Sequence, residues 1–141
     1  MRLLRGSLSD ASYSKLLGVT DSETIFALLL DRLRDAGICP GDSCALAKAT
    51  AETVRRVSDV CTKLGVYAAL SVGVTDGKAM AFARYSTKGP GNSLYFVEDG
   101  KAFPDAVVVA SERLDGNAGW QPVPDRHLLV AGSEGVATRP L

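Results

Sequence analysis

Thiols, carboxylates and one imidazole are the side chains of this sequence that could do chemistry. Cysteine occurs three times, at Cys39, Cys44 and Cys61, and histidine once, at His127. A cysteine becomes a nucleophile when a base or a positive charge holds it as the thiolate. Cys39 and Cys44 flank the turn Pro40-Gly41, Cys61 falls at a core position of a predicted helix, and none stands with His127 in a recognisable motif. His127 opens a predicted strand after a loop and reads as structural. With one imidazole the chain does not assemble a four-ligand zinc site, so no metal is expected and no cofactor is called for. An odd number of cysteines without an export signal reads as free thiols in a reducing compartment.

The carboxylate best placed for binding is Asp21 in the run Thr20-Asp21-Ser22-Glu23. At a helix N-terminus the backbone dipole keeps a carboxylate ionised and suits it to hold a cation. Asp is also common there simply as a decoration of the helix start. Ser111 and Glu112 follow a predicted strand and could line a site at its end, or hydrogen-bond their own loop. Arg84-Tyr85 has the same two readings. Trp120, between Gly119 and Pro122, is expected to anchor a loop onto a sheet.

These residues depend on a scaffold that the apolar spacing outlines. Thr20 and Glu23 form a capping-box signature, with Glu23 expected to return a bond to the Thr20 N–H, and Gly37 stops the helix. Ser22, Phe26, Leu29 and Leu33 lie on one face, and Ile25, Leu28 and Leu30 widen it so far that the helix should be largely buried. Asp42 or Ser43 caps a second helix with the stripe Leu46, Thr50, Val54, Val57, Cys61 and Leu64. From Gly65 the period becomes two, and Asp76-Gly77 predicts a two-residue turn that sets Val74 against Ala79, Val72 against Ala81 and Leu70 against Ala83. Both faces of that hairpin are apolar, so both should be covered. Three further strands are expected over residues 93–97, 106–110 and 127–130, and residues 132–141 read as a frayed tail. Helices against a two-faced sheet make a layered α/β or α+β domain.

Composition narrows the function classes. The 141 residues are 46% apolar and carry 16 basic and 16 acidic side chains, so no basic field draws nucleic acid or anionic lipid. No apolar run approaches the ~20 residues that span a bilayer, and the N-terminus lacks a signal-peptide core, so a cytoplasmic address is expected.

Four segments in order, Gly18-Val19-Thr20-Asp21-Ser22-Glu23-Thr24-Ile25-Phe26, Ala83-Arg84-Tyr85, Val109-Ala110-Ser111-Glu112-Arg113-Leu114 and Gly119-Trp120-Gln121-Pro122-Val123-Pro124, resemble the class II glutamine amidotransferases. Within that family the segments look like the bacterial γ-glutamyl amidases, including the ergothioneine-pathway hydrolase. The resemblance runs over residues 3–130. It implies an N-terminal-nucleophile hydrolase fold, an αββα sandwich present here in part with its N-terminal strands missing. It also implies hydrolysis of glutamine or a γ-glutamyl amide, with Asp21 receiving the substrate's α-ammonium. In that family the nucleophile is a Cys whose own α-amine acts as base. Here Met1 is followed by Arg2. The nucleophile, the substrate-carboxylate Arg and the His-Asn-Gly loop of the oxyanion hole are therefore expected upstream of the first matched motif. Residues 1–141 are expected to be the C-terminal half of one such domain, with no catalytic residue of its own and inactive alone. The alternatives are a non-catalytic scaffold module and one chain of a split enzyme. An open sheet edge would make the chain self-associate or take up an N-terminal half.

Overall fold

The computed structural model describes residues 2–37, 40–116 and 118–141. Its elements are α1 (Arg2–Arg5), α2 (Asp10–Tyr13), α3 (Asp21–Asp35), α4 (Ser43–Lys63) and strands β1 (Ala69–Thr75), β2 (Met80–Ser86), β3 (Tyr95–Gly100), β4 (Phe103–Ala110), β5 (Gln121–Pro122), β6 (His127–Gly132) and β7 (Gly135–Pro140). The strands form two antiparallel sheets, one of order β1-β2-β6-β7 and one of order β4-β3-β5.

Side-chain alternation along β2 and β6 builds the layers. Ala83, Leu128 and Val130 face α4, where they pack with Ala47, Ala51 and Val54. Phe82 and Leu129, one residue over, face the second sheet and pack with Leu94, Phe96, Val109 and Val123. The order is helices, sheet, sheet, a mixed α+β arrangement with helices on one face of the four-stranded sheet. Small side chains let α4 lie close: Ala81 and Ala83 are fully buried beneath it. Thr50 and Thr53 on α4 are buried as well, their hydroxyls each donating to the carbonyl one turn back, at Leu46 and Ala49, over 2.8 Å.

Both long helices start where expected. Thr20 Oγ1 accepts from the Glu23 N–H at 3.2 Å, and Asp42 Oδ1 from the Ala45 N–H at 2.9 Å. Gly37, with φ of 62°, ends α3 in the left-handed region. The capping box, however, does not close. Glu23 reaches past Thr20 and accepts from the Leu17 and Gly18 N–H groups at 2.8 and 2.9 Å. Its carboxylate thus pins the loop before the helix. Nor is α3 largely buried: Phe26 is 56% exposed and Leu30 38%, because the residues turned inward are Thr24, Ala27, Leu28, Leu29 and Asp31.

The β1–β2 register is two residues from the expected one, pairing Val74 with Ala81, Val72 with Ala83 and Leu70 with Tyr85. Asp76 is the cause. Its Oδ1 accepts from the Lys78 and Ala79 N–H groups at 2.9 and 2.8 Å, and Thr75 Oγ1 donates to the Ala79 carbonyl. These bonds set a four-residue loop in place of a two-residue turn. A shift of two keeps every side chain on its predicted face.

Residues 132–141 are not a frayed tail. Gly132-Ser133-Glu134-Gly135 turns the chain, and β7 pairs with β6 along its length, Gly132 with Gly135 through His127 with Pro140. Gly135, with φ of 98°, permits the turn, and Val136 and Leu141 add to the cores on the two faces.

Candidate functional site

Asp21 opens α3, and its Oδ1 accepts from the Ser22 N–H at 2.9 Å. Glu23, the other carboxylate of the motif, is occupied by the Leu17 and Gly18 amides, and Arg5 reinforces that loop by donating to the Gly18 carbonyl at 2.8 Å. The approach is so close that a Cβ on Gly18 would stand 2.9 Å from Glu23 Oε2. The loop is thus held from two sides, and the exposed Asp21 is left facing solvent and a groove. That groove has a volume of about 260–350 Å³ in each of two adjoining parts. Asp21, Leu64, Val66 and Tyr67 line one part, Phe26, Val72 and Val74 the other, and Ile25 lines both. The arrangement is a carboxylate acceptor at the positive end of a helix, beside an apolar wall, suited to a primary ammonium group on a partly apolar molecule.

Ser111 and Glu112 lie elsewhere, exposed at the end of β4 in the second sheet. The Ser111 carbonyl accepts from Ser93 Oγ at 2.7 Å, and the neighbouring Arg113 guanidinium stacks 5.3 Å from the Tyr95 ring centre. No hydrogen bond, ion pair or shared groove joins them to Asp21 among the described residues. Arg84 fastens loops: its Nε donates to the Asn92 carbonyl at 2.6 Å and its Nη1 to the Val123 carbonyl at 2.5 Å. Tyr85 OH accepts from Ser58 Oγ on α4 at 2.8 Å. Trp120 anchors its loop as expected, buried and donating to Asp115 Oδ1 at 2.7 Å. Within the Asp115–Gly119 loop, Asn117 lies outside the described residues.

Cys61 is half-buried and lines the Asp21 groove, a proximity not apparent from sequence spacing. Cys44 is exposed, 3.8 Å from Arg139 Nη1. Cys39 lies outside the described residues. No group of three or more His, Cys, Asp or Glu side chains could hold a metal ion among the described residues. His127 Nδ1 donates to the Asp125 carbonyl at 2.8 Å.

Asp125 is a residue that the sequence reading passed over. Its Oδ2 is 3.4 Å from Ser86 Oγ, which itself donates to the Gly89 carbonyl at 2.5 Å, while Oδ1 is buried without a partner. A Cβ on Gly91 would come within 2.9 Å of that oxygen, so the packing around it is tight. Nothing in Pro124-Asp125-Arg126 marks this, because the enclosure is made by a loop remote in sequence.

No protein-family profile matches the chain. It is 29% identical over 170 aligned residues to a Saccharomyces cerevisiae protein named probable glutamine amidotransferase DUG3, an alignment covering 99% of this chain and 48% of the yeast protein. It also superimposes on a solved glutamine aminotransferase class-II domain protein from Silicibacter pomeroyi, with a TM-score of 0.76 and 28% identity over 99% of this chain and 60% of that one. The chain therefore spans about half the length of the curated relative it matches. The chain is thus similar to a protein named a glutamine amidotransferase and to a solved class-II domain. No helix among the described residues is long and apolar enough to cross a membrane.

Proposed function

We propose that these residues form the C-terminal part of a glutamine amidotransferase type 2-like hydrolase, of the γ-glutamyl amidase branch, acting on glutamine or a γ-glutamyl amide in the cytoplasm. The observation that carries this reading is Asp21: an exposed carboxylate on the first turn of α3, on the edge of a groove, with its motif neighbour Glu23 already satisfied by backbone amides. Its role is to take the α-ammonium of the substrate and so fix where the side-chain amide lies. Ser111 and Glu112 are proposed to line the completed site.

The chemical step belongs to a nucleophile outside these residues. In the reaction the resemblance implies, an N-terminal Cys thiolate adds to the amide carbon, its α-amine carries the proton to the departing nitrogen, and water then cleaves the thioester. Neither Cys44 nor Cys61 can play this part, since neither has a free α-amine beside its thiol. A non-catalytic interaction module of the same fold is the second reading.

The test is hydrolysis of glutamine and γ-glutamyl amides by the chain alone and by the chain completed with an amidotransferase N-terminal half. The chain alone should show no turnover. In the completed protein Asp21→Asn should raise KM tenfold or more with kcat little changed, since a hydrogen bond to a charged group is worth about 1.5–3 kcal/mol. Turnover by the chain alone that survives Asp21→Asn overturns the reading.

A further inference from the structure

We infer that the groove between α1, α2 and the loop before α3 binds a small organic oxyanion, a phosphate or carboxylate carried on a flat apolar body, with Arg5 and Arg2 as its cations. Neither arginine lines the Asp21 groove, so this site is separate from the one described above and independent of the function proposed for it.

The groove has a volume of about 570 Å³ and is lined by Arg2, Arg5, Gly6, Tyr13 and Val19. Two of these five are cations and none is a carboxylate, in a chain with 16 charged side chains of each sign. Arg5 is half-buried and its guanidinium is fixed, Nη2 donating to the Gly18 carbonyl at 2.8 Å and Nε to Thr24 Oγ1 at 3.4 Å. Both acceptors are neutral. Glu23, the carboxylate of the same network, is taken up by the Leu17 and Gly18 N–H groups, and the one ion pair among the described residues is Arg34 with Asp31. A partly desolvated guanidinium ordinarily has a carboxylate partner, because neutral acceptors return only part of the hydration it gives up. The Arg5 Nη1 has no acceptor among the described residues.

Arg2 stands three residues before Arg5, which puts the two side chains on one face of α1, where like charges repel. One oxyanion between them converts that repulsion into two charge-assisted contacts, and the guanidinium fork matches paired carboxylate or phosphate oxygens. The remaining lining argues for what carries the anion. Tyr13 is 56% exposed and Val19 83%, an aromatic ring and a branched aliphatic side chain left outside the cores. They suit a flat apolar body, and the Tyr13 hydroxyl, without a partner among the described residues, is a further donor. Gly6 leaves room: a Cβ there would meet only the Arg2 and Leu3 carbonyls of its own turn, at 3.5 and 3.9 Å.

The experiment titrates phenyl phosphate, benzoate and inorganic phosphate into the full chain, at an ionic strength held constant with potassium chloride, and follows amide shifts by nuclear magnetic resonance. Phenyl phosphate should give saturable shifts confined to residues 2–6, 13 and 19, with a Kd of about 1 mM or tighter. Benzoate binding more tightly than phenyl phosphate assigns the site to carboxylates and weaker binding assigns it to phosphates, and either supports it. Arg2→Gln should weaken binding about tenfold, the loss of one hydrogen bond to a charged group, and Arg2 makes no bond within the described protein whose removal could unfold it. Gly6→Glu, which builds a carboxylate into the groove, should abolish binding and raise Tm. Arg5→Gln should abolish binding too, and if that variant does not fold, the other two still decide. No saturable shift with either organic anion overturns the site, as do shifts that Arg2→Gln and Gly6→Glu leave unchanged. Inorganic phosphate binding as tightly as phenyl phosphate also overturns it, since the apolar body then contributes nothing.

Discussion

Asp31 carries a charge on the buried face of α3, and four donors keep it there. Its carboxylate accepts from the Ser9 N–H, Ser9 Oγ and Ser12 Oγ at 2.6–2.8 Å and pairs with Arg34 at 3.0 Å. Burial works to raise its pKa, but the Ser12 and Ser9 hydrogen bonds and the Arg34 charge outweigh it, and the net shift is downward from 3.8. A lowered folded-state pKa means that Asp31 stabilises the fold above pH 3.8 and that this contribution is lost as pH falls through the lower folded value. Asp31→Asn should therefore cost about 1–3 kcal/mol at neutral pH, with the gap to wild type narrowing in strong acid, as urea unfolding at both pH values would read. In the sequence Asp31 is simply the charged residue that follows the apolar run of residues 25–30. Its partners come from the Ser9–Ser12 turn, and only packing brings that turn to α3. The place of Asp21 on the first turn of α3 is legible because its motif is local, whereas the enclosure of Asp125 is not, being made by the distant Gly89–Gly91 loop.

At the scale of elements, local chemistry set the helix ends and the core set their faces. Thr20, Gly37 and Asp42 each act within a turn of themselves, and each acts as its type suggests. Which side of α3 is buried depends on where α4 lies, so Phe26, apolar and on a predicted inner face, is exposed. The β1–β2 loop shows a side chain overruling a dipeptide signal. Asp76 is held at a pKa of about 2 by the N–H groups of Gly41, Ala79 and Lys78, and those bonds select the longer loop. The element that the sequence reading missed altogether is β7, whose short polar run with Arg139 and Pro140 resembles a tail. Yet it pairs with the whole of β6 and places Val136 in the inter-sheet core. Removing residues 133–141 should then cost at least about 3 kcal/mol, from the burial of Val136 and Leu141 and the exposure of a new edge at β6, and thermal unfolding followed by circular dichroism would show it. A transition unchanged by the deletion would mean that β7 adds nothing to the fold.

For the whole molecule, β2 and β6 are the common wall of two cores. Leu129 is fully buried where the sheets meet, and its neighbours Leu128 and Val130 face α4. Leu129→Ala should cost about 2–5 kcal/mol and shift one cooperative transition, rather than loosening the second sheet alone, in denaturant unfolding monitored at Trp120 and in the far ultraviolet. Separate transitions would show that the sheets are independent. Legible along the chain are the α+β class, the two long helices and their caps, the two-faced hairpin and the ordered motifs that resemble class II glutamine amidotransferases. These rest on spacing within an element or on capping and turn chemistry a few residues long, which a linear sequence records. The tertiary structure alone decided which face of α3 is buried, the register chosen by Asp76, the β6–β7 pairing, and the meeting of Asp21, Cys61 and the β1 edge around one groove. Each of these joins groups far apart in the chain, and their contact energy exists only once the layers have packed.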